Sequence, residues 1–254
     1  MKILLTGYKG FIGSHMLTAL SEHEVSTYEW GEKVPNIQGL DWVIHIGAIS
    51  STTEHDVNKI MRQNYDFSCW ILDECIRHKV NLQYSSSASI YGLGQDFNEN
   101  TAPDPRTPYA WSKYMFERYA QKKCFEHIVV QGFRYFNVYG SNEEHKGTQA
   151  SPFTQFRLQA ERVGEIRVFE GSENYHRDFV PVSTVIDLHK KFLNIPESGI
   201  WNIGTGSTKS FLEVAQGFRV PIVKIPMPEK LKASYQAYTC ADMAKVQTTL
   251  AKYL

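Results

Sequence analysis

The stretch KILLTGYKGFIGSH, residues 2–15, constrains this chain more than any other. Its short apolar run reads as a buried strand, and the residues after the run carry the periodicity of a helix. Between the two stand Gly7, Gly10 and Gly13, spaced GxxGxxG. Glycine lets a backbone turn tightly and approach a ligand closely, while a helix start offers free N–H groups and the positive end of a dipole. A strand, a glycine turn and a helix in this order suit the pyrophosphate of a dinucleotide. Without a ligand, the same glycines would simply make a tight turn.

The rest of the chain extends that pattern. EVSTY, WVIHIGA, NLQYSSSASIYG and HIVVQGFRYFNVYG read as further strands. FIGSHMLTALSEH, residues 54–79 and YAWSKYMFERYAQKKC read as the helices between them. Such alternation predicts an α/β fold, a doubly wound parallel sheet, and strands of nearly continuous apolar character predict that both sheet faces are covered. After residue 140 the pattern loosens into a helix, SPFTQFRLQAERVGE, the short strands IRVFEG, GIWNIGTG and PIVKIP, and a final helix, CADMAKVQTTLAKYL. The expected organisation is a dinucleotide-binding domain over residues 1–150 and a smaller C-terminal substrate-binding lobe over 151–254. The second is interleaved with the first and does not fold independently.

Composition narrows the function classes. With 27 basic and 27 acidic residues in 254, no positive surplus points to nucleic acid. No apolar run approaches the ~20 residues needed to span a bilayer, and MKILLTG is too short for a signal peptide. Cys69, Cys75, Cys124 and Cys240 form no CxxC pair, so reduced thiols and no metal site are expected. A soluble cytoplasmic protein follows, with neither nucleic acid nor membrane as partner.

The chemistry-bearing residues lie in the middle of the chain. Tyr109-x-x-x-Lys113 places a phenol and an ammonium on one helix face, where the cation would lower the phenol's pKa toward working pH. Ser87 ends a serine-rich strand just upstream, placed to hydrogen-bond a substrate hydroxyl. Glu29, at the end of the second strand, can accept from both ribose hydroxyls of NAD, whereas Lys9 in the glycine loop could meet the 2′-phosphate of NADP. The choice between the two cofactors stays open.

Gly7-x-x-Gly10-x-x-Gly13, Ser87 and Tyr109/Lys113 resemble the Rossmann-like extended short-chain dehydrogenases of the NAD-dependent epimerase/dehydratase family, which modify nucleotide sugars. ISSTTEHD (49–56), GFRYFNVYGSNEEHKG (132–147), FEGSENYHRDFV (169–180), GIWNIGTG (199–206) and PEKLKASYQAYTCADM (228–243) resemble, within it, the ADP-L-glycero-D-manno-heptose 6-epimerases. That resemblance implies a redox epimerisation of an ADP-heptose. A tightly bound NAD or NADP takes hydride from C6″ and returns it to the other face, as part of a route to lipopolysaccharide or another glycan. A proton must then leave and return at two positions, and the resemblance assigns them to Tyr109 and Lys146, the lysine of HKG. A plain surface charge is the other reading of Lys146.

The same resemblance implies a cofactor lining of Phe11, Ile12, Ile46, Gly47, Ala48, Ile49, Ser50, Asn64, Lys113, Val138 and Lys146. For the ADP-sugar it implies Ser87, Asn137, Thr148, Gln155, Phe169, Glu170, Gly171, Ser172, Arg177 and Tyr235. Gln155 stands where the family places a histidine. Arg177 also has an independent rationale, because a guanidinium fork matches pyrophosphate oxygens; a salt bridge with the neighbouring His176 and Asp178 is its alternative. The resemblance further implies a homo-oligomer.

Two departures from the family are visible. Only residues 30–41 separate the second strand from WVIHIGA, too few for the usual third strand and its helix, so both are expected to be deleted. Adenine binding would then be looser, or be taken over by side chains such as Trp30. The family would also continue past AKYL with another helix. Two alternatives to the heptose reading remain: an epimerase, dehydratase or reductase on another nucleotide sugar, and a silent nucleotide-binding protein. SSSASIYG lacks the acidic pair a dehydratase needs, and an intact Tyr109, Lys113 and Ser87 weigh against silence.

Overall fold

The computed structural model describes residues 1–51, 54–123, 127–229 and 235–254. Cys124 lies outside them. The first half supplies β1 (Lys2–Thr6), β2 (Glu24–Tyr28), β3 (Trp42–His45), β4 (Asn81–Ser87) and β5 (Val130–Tyr135). Beyond these come β6 (Asn137–Tyr139), β7 (Ile166–Phe169), β8 (His176–Arg177), β9 (Phe179–Pro181), β10 (Gly199–Ile203), β11 (Lys209–Ser210), β12 (Ile222–Ile225) and β13 (Tyr238–Thr239). The main sheet has six strands in the order β10-β5-β4-β3-β1-β2, and every pairing in it is parallel.

Helices cover both faces, as the apolar strands require. On one side α3 (Phe67–His78) and α4 (Pro108–Gln121) bring Ile71, Leu72, Cys75 and Phe116 onto Leu4, Val43 and Leu82. On the other, α1 (Phe11–Ala19) packs with α6 (Val182–Phe192), so that Met16, Leu20 and Ile186 meet Ile3, Leu5 and Ile44. A helix at residues 182–192 was not expected from the sequence. Its apolar residues recur at helical spacing, but they are interrupted by polar ones and no strong cap precedes them.

Strand order reverses between β2 and β3 around β1, which opens a crevice at the carboxyl ends of the strands. The β2–β3 connection, residues 29–41, contains neither strand nor helix. Ile37 from this loop is 3% exposed and packs with Tyr28 and Val43, supplying the apolar cover that a crossover helix would otherwise bring.

Several expected elements are corrected in detail. The helical stretch 54–79 is interrupted: α2 (Val57–Ile60) passes into a π-helical turn, Met61–Asp66, before α3 begins. The long fifth strand breaks after Tyr135, because β6 leaves the main sheet to pair with β9. GIWNI, expected in the small lobe, is β10 and forms the sheet's outer strand beside β5. The residues past 150 therefore divide between the main sheet and a smaller cluster. In that cluster Phe156 of α5 (Pro152–Val163) packs on Ile166, Val168, Phe179 and Val214. Cys69, Cys75 and Cys240 are free, and burial pushes the first two thiols up to about 11 and about 12.

Candidate active site

The glycine loop closes on itself more tightly than any other residue type would permit. A Cβ at Gly13 would stand 1.9 Å from the Gly7 carbonyl oxygen. Gly7 has φ 73°, and a Cβ there would lie 2.5 Å from Cα of Gly47. Gly10 caps α1 without a side chain, and the first turn carries no acidic residue. This bare helix start opens on a cleft of about 290 Å³. Gly7, Gly10, Phe11, Ile12, Gly13, Glu29, Ile46, Gly47, Ala48, Ser50, Val138 and Lys146 line it, with Ser87, Tyr109 and Lys113 at its far end. A closely apposed backbone with no Cβ is the cradle a pyrophosphate requires.

Ile49 lines a smaller cavity beside the cleft, together with Glu29 and Trp30. Asn64, in the π-helical turn, braces Ile49 without lining that cavity. The extra residue in that turn aims the buried Asn64 amide inward, where its oxygen accepts from the Ile49 N–H at 2.8 Å. Its nitrogen donates to the Ile49 carbonyl at 3.0 Å and to Ser112 at 3.2 Å. Asn64 thus shapes the loop from behind and is absent from the cleft wall.

At the mouth of the glycine loop, Lys9 is already occupied. Its ammonium pairs with Glu32 at 2.8 Å, while its backbone N–H donates to Glu29 at 3.3 Å. Glu32 carries no motif and was missed in the sequence; only the turn after β2 brings it across to the glycine loop.

Tyr109 and Lys113 share one face of α4, which starts at Thr107, whose hydroxyl caps Ala110, with Pro108 in the first turn. Their relationship differs from the expectation. The Lys113 ammonium is 6.0 Å from the Tyr109 ring centroid and donates to the Ser85 carbonyl at 2.9 Å. Burial, rather than Lys113, dominates the phenol: it pushes the Tyr109 pKa up, and a hydrogen bond with Ser87 opposes the rise. Lys113 is itself pushed down to about 8 by burial, with Glu117 one turn along pulling it back up.

Lys146 lies on the wall of the same cleft, over the Phe11 ring at 5.2 Å from its centroid. Glu143 holds it at 3.4 Å, and that carboxylate is wholly buried. The sequence offered EE before HK, with nothing to say which glutamate turns inward.

Past Tyr109 and Lys146 the cleft continues into a chamber of about 530 Å³ that Ser87, Asn137 and Arg177 also line. Ala150 and Pro152 stand on the wall of this chamber and also on that of a third pocket, of about 700 Å³. Thr148, Gln155, Phe169, Ser172 and Tyr235 line that pocket, whereas Glu170 and Gly171 do not. Glu170 is instead tied by its backbone N–H to Ile225 on β12. Ser172 Oγ is buried without a hydrogen-bond partner. Arg177 makes no ion pair with Asp178, whose carboxylate accepts from Thr205, Gly206 and Ala241. Its guanidinium lies between the rings of Phe211 and Tyr235, at 5.4 and 5.3 Å from their centroids, and donates to the His176 and Gln236 carbonyls. Gln155 turns its amide onto the Gly147 carbonyl at 2.7 Å.

A glycine cradle, a buried tyrosine–lysine pair and adjoining pockets suit a dinucleotide facing a second, bulky ligand. The sequence profile of the NAD dependent epimerase/dehydratase family matches residues 3–204. An ADP-L-glycero-D-manno-heptose-6-epimerase of Brachyspira hyodysenteriae is 35% identical, over 96% of this chain and 90% of that protein. The chain belongs to the NAD dependent epimerase/dehydratase family. Among solved structures, the ADP-L-glycero-D-manno-heptose-6-epimerase of Helicobacter pylori superposes with a TM-score of 0.87 at 24% identity, covering 98% of this chain and 90% of that one. A UDP-N-acetylglucosamine 4-epimerase of Methanobrevibacter ruminantium superposes at 0.88 with 19% identity, covering 98% and 91%.

As an enzyme of the NAD dependent epimerase/dehydratase family, the protein works with a nicotinamide dinucleotide, NAD or NADP. The glycine cradle fits such a group. No helix among the described residues is long and apolar enough to cross a membrane.

Proposed function

We propose that this protein interconverts ADP-D-glycero- and ADP-L-glycero-D-manno-heptose at C6″. One observation carries the reading: Tyr109 and Lys146 both stand where the dinucleotide cleft meets the chamber leading to the third pocket. The 35% identity to the Brachyspira epimerase supports the same substrate.

Inverting an unactivated secondary alcohol requires its temporary oxidation. The nicotinamide, when bound, supplies the reversible hydride acceptor. What the chain itself must do is move a proton at an oxygen that occupies two positions. Tyr109 Oη serves one position, with Ser87 Oγ hydrogen-bonded beside it. Lys146 Nζ serves the other, and the two groups exchange the roles of acid and base. Lys113 keeps a positive charge near the phenol. Phe169, Ser172 and Tyr235 hold the ADP half in the third pocket. Arg177, Asn137 and Thr148 flank the diphosphate and sugar. Glu29, with Glu32 neutralising Lys9, favours NAD over NADP, because a 2′-phosphate would meet two carboxylates. A cytoplasmic location, where both nucleotides are made, belongs to this reading. So does a homo-oligomer, supported by the exposed Trp111 and Met115 on α4.

A second reading keeps the chemistry and changes the sugar. Gln155 favours it, since its amide is committed to Gly147 rather than directed at a ligand. One experiment separates the two: purified protein is incubated with ADP-D-glycero-D-manno-heptose and the C6″ epimers are followed by NMR. Epimerisation that falls ~10²–10⁴-fold in both Tyr109→Phe and Lys146→Met supports the heptose reading. Protein that carries its dinucleotide yet leaves the heptose unchanged moves the assignment to another ADP- or UDP-sugar.

A further inference from the structure

Glu143 is 0% exposed and lies three residues before Lys146. A buried carboxylate needs several donors or a cation to offset its desolvation, and this one has both. Its Oε1 faces Lys146 Nζ at 3.4 Å and accepts from the Ser151 N–H at 3.3 Å. Its Oε2 accepts from the hydroxyls of Ser151 and Thr154, the latter at 2.9 Å. Ser151 and Thr154 belong to the start of α5, where Ser151 is the N-cap.

The lysine's loop is tied to the same helix at further points. Gln155 donates to the Gly147 carbonyl at 2.7 Å, and Arg157 pairs with Glu144. The backbone allows little slack between them: Lys146 N–H donates to the Glu143 carbonyl at 2.9 Å, and Gly147 turns the chain with φ 52°. Pro152, Gln155, Phe156 and Gln159 of α5 also line the pocket of about 700 Å³. One helix therefore forms a wall of that pocket and carries the anchor of the lysine.

We propose that Glu143 is the positioning residue for Lys146, locking its ammonium to the helix that lines the nucleotide pocket so that the two keep a fixed geometry. The proposal rests on the reading of Lys146 as an acid–base group. A carboxylate that merely caps α5 would stabilise the protein without acting through Lys146, and the two roles separate experimentally. Misplacing a reacting group by about 1 Å costs about 10²-fold in rate. Glu143→Gln keeps an acceptor but not the charge, and is expected to lower kcat ~10- to 100-fold with KM within ~3-fold. In a Lys146→Met background the same change is expected to cost nothing further, because the group it positions is gone. Amide hydrogen exchange over residues 144–151 is expected to quicken at least ~5-fold in Glu143→Gln, with the main sheet unchanged. This last arm needs no substrate. If Glu143→Gln fails to fold, Ser151→Ala combined with Thr154→Val removes the partners of Oε2 instead and is read the same way.

Wild-type kcat in Glu143→Gln, an equal loss repeated in the Lys146→Met background, or unchanged exchange over 144–151 each overturns the proposal. Full turnover in Lys146→Met alone is a different result. It removes the acid–base reading of the lysine, while the exchange arm still reports whether Glu143 anchors the loop.

Discussion

Lys113 donates to both the carbonyl and the hydroxyl of Ser85, at 2.9 and 3.1 Å, and so stands on β4 rather than on the phenol one helical turn away. Burial holds its ammonium down to about 8. The positive charge beside Tyr109 is therefore present below that pH and lost as pH rises through it. Turnover is expected to fall on the alkaline side with a midpoint at about 8. Lys113→Met is expected to lower kcat by about 10²-fold and to abolish that limb. A pH–rate profile of both proteins checks it, and an alkaline limb that survives in the variant rules out Lys113 as its source.

The proposed preference for NAD rests on Lys9 and Glu32, paired at 2.8 Å across the mouth of the glycine loop. Removing the carboxylate frees a cation where a 2′-phosphate would lie. Glu32→Gln is expected to tighten NADP binding ~10-fold while leaving NAD within ~3-fold, and the gain should shrink with added salt because the pair is exposed. Titration calorimetry of both dinucleotides measures it. Equal tightening of both would mean that the ribose end lies elsewhere.

Two glycines of the same loop are expected to differ in their tolerance of a methyl group. At Gly13 the added Cβ would meet the Gly7 carbonyl at 1.9 Å, whereas at Gly10 it would stand 3.3 Å from that oxygen. Backbone cannot yield as a side chain can. Gly13→Ala is therefore expected to lose at least ~10-fold in dinucleotide affinity and ~1–3 kcal/mol in stability, with Gly10→Ala much milder. Cofactor content after purification and thermal midpoints give the ranking, and the reverse order contradicts the cradle described here.

Acid should destabilise the protein through two buried imidazoles. His45 lies between the hydroxyls of Thr6 and Ser68, at 2.6 and 2.9 Å. His189 lies between Tyr135 and Gln83, at 2.5 and 2.7 Å. Burial pushes both down to about 3. Between there and about 6.5 the unfolded chain takes up protons that the folded chain refuses, so their contribution is complete above about 6.5 and is lost as pH falls. Each accounts for about 2 kcal/mol of lost stability on going from pH 7 to pH 5. Urea unfolding at the two pH values tests this, and His189→Gln should remove its share of the difference. An equal pH dependence in that variant would exclude His189 as a source.

Much of the fold and of the site could be read from the amino acids in order, for reasons of short range. The spacing of Gly7, Gly10 and Gly13 dictates a turn without Cβ atoms, and four residues on a helix put Tyr109 and Lys113 on one face. Apolar strands between helical segments dictate a covered parallel sheet, and the brevity of residues 29–41 leaves no room for another strand and helix there. What spans longer distances was decided by packing. No local pattern sends β10 back to β5, turns Glu143 inward instead of Glu144, gives Lys9 to Glu32, or takes Lys113 to Ser85. The pKa of Tyr109 likewise depends on how deeply the finished fold buries it. Spacing along a chain determines which groups lie within a turn of one another; burial and the choice of partner are properties of the assembled core, where a polar group must find whatever donor or acceptor the fold has brought beside it.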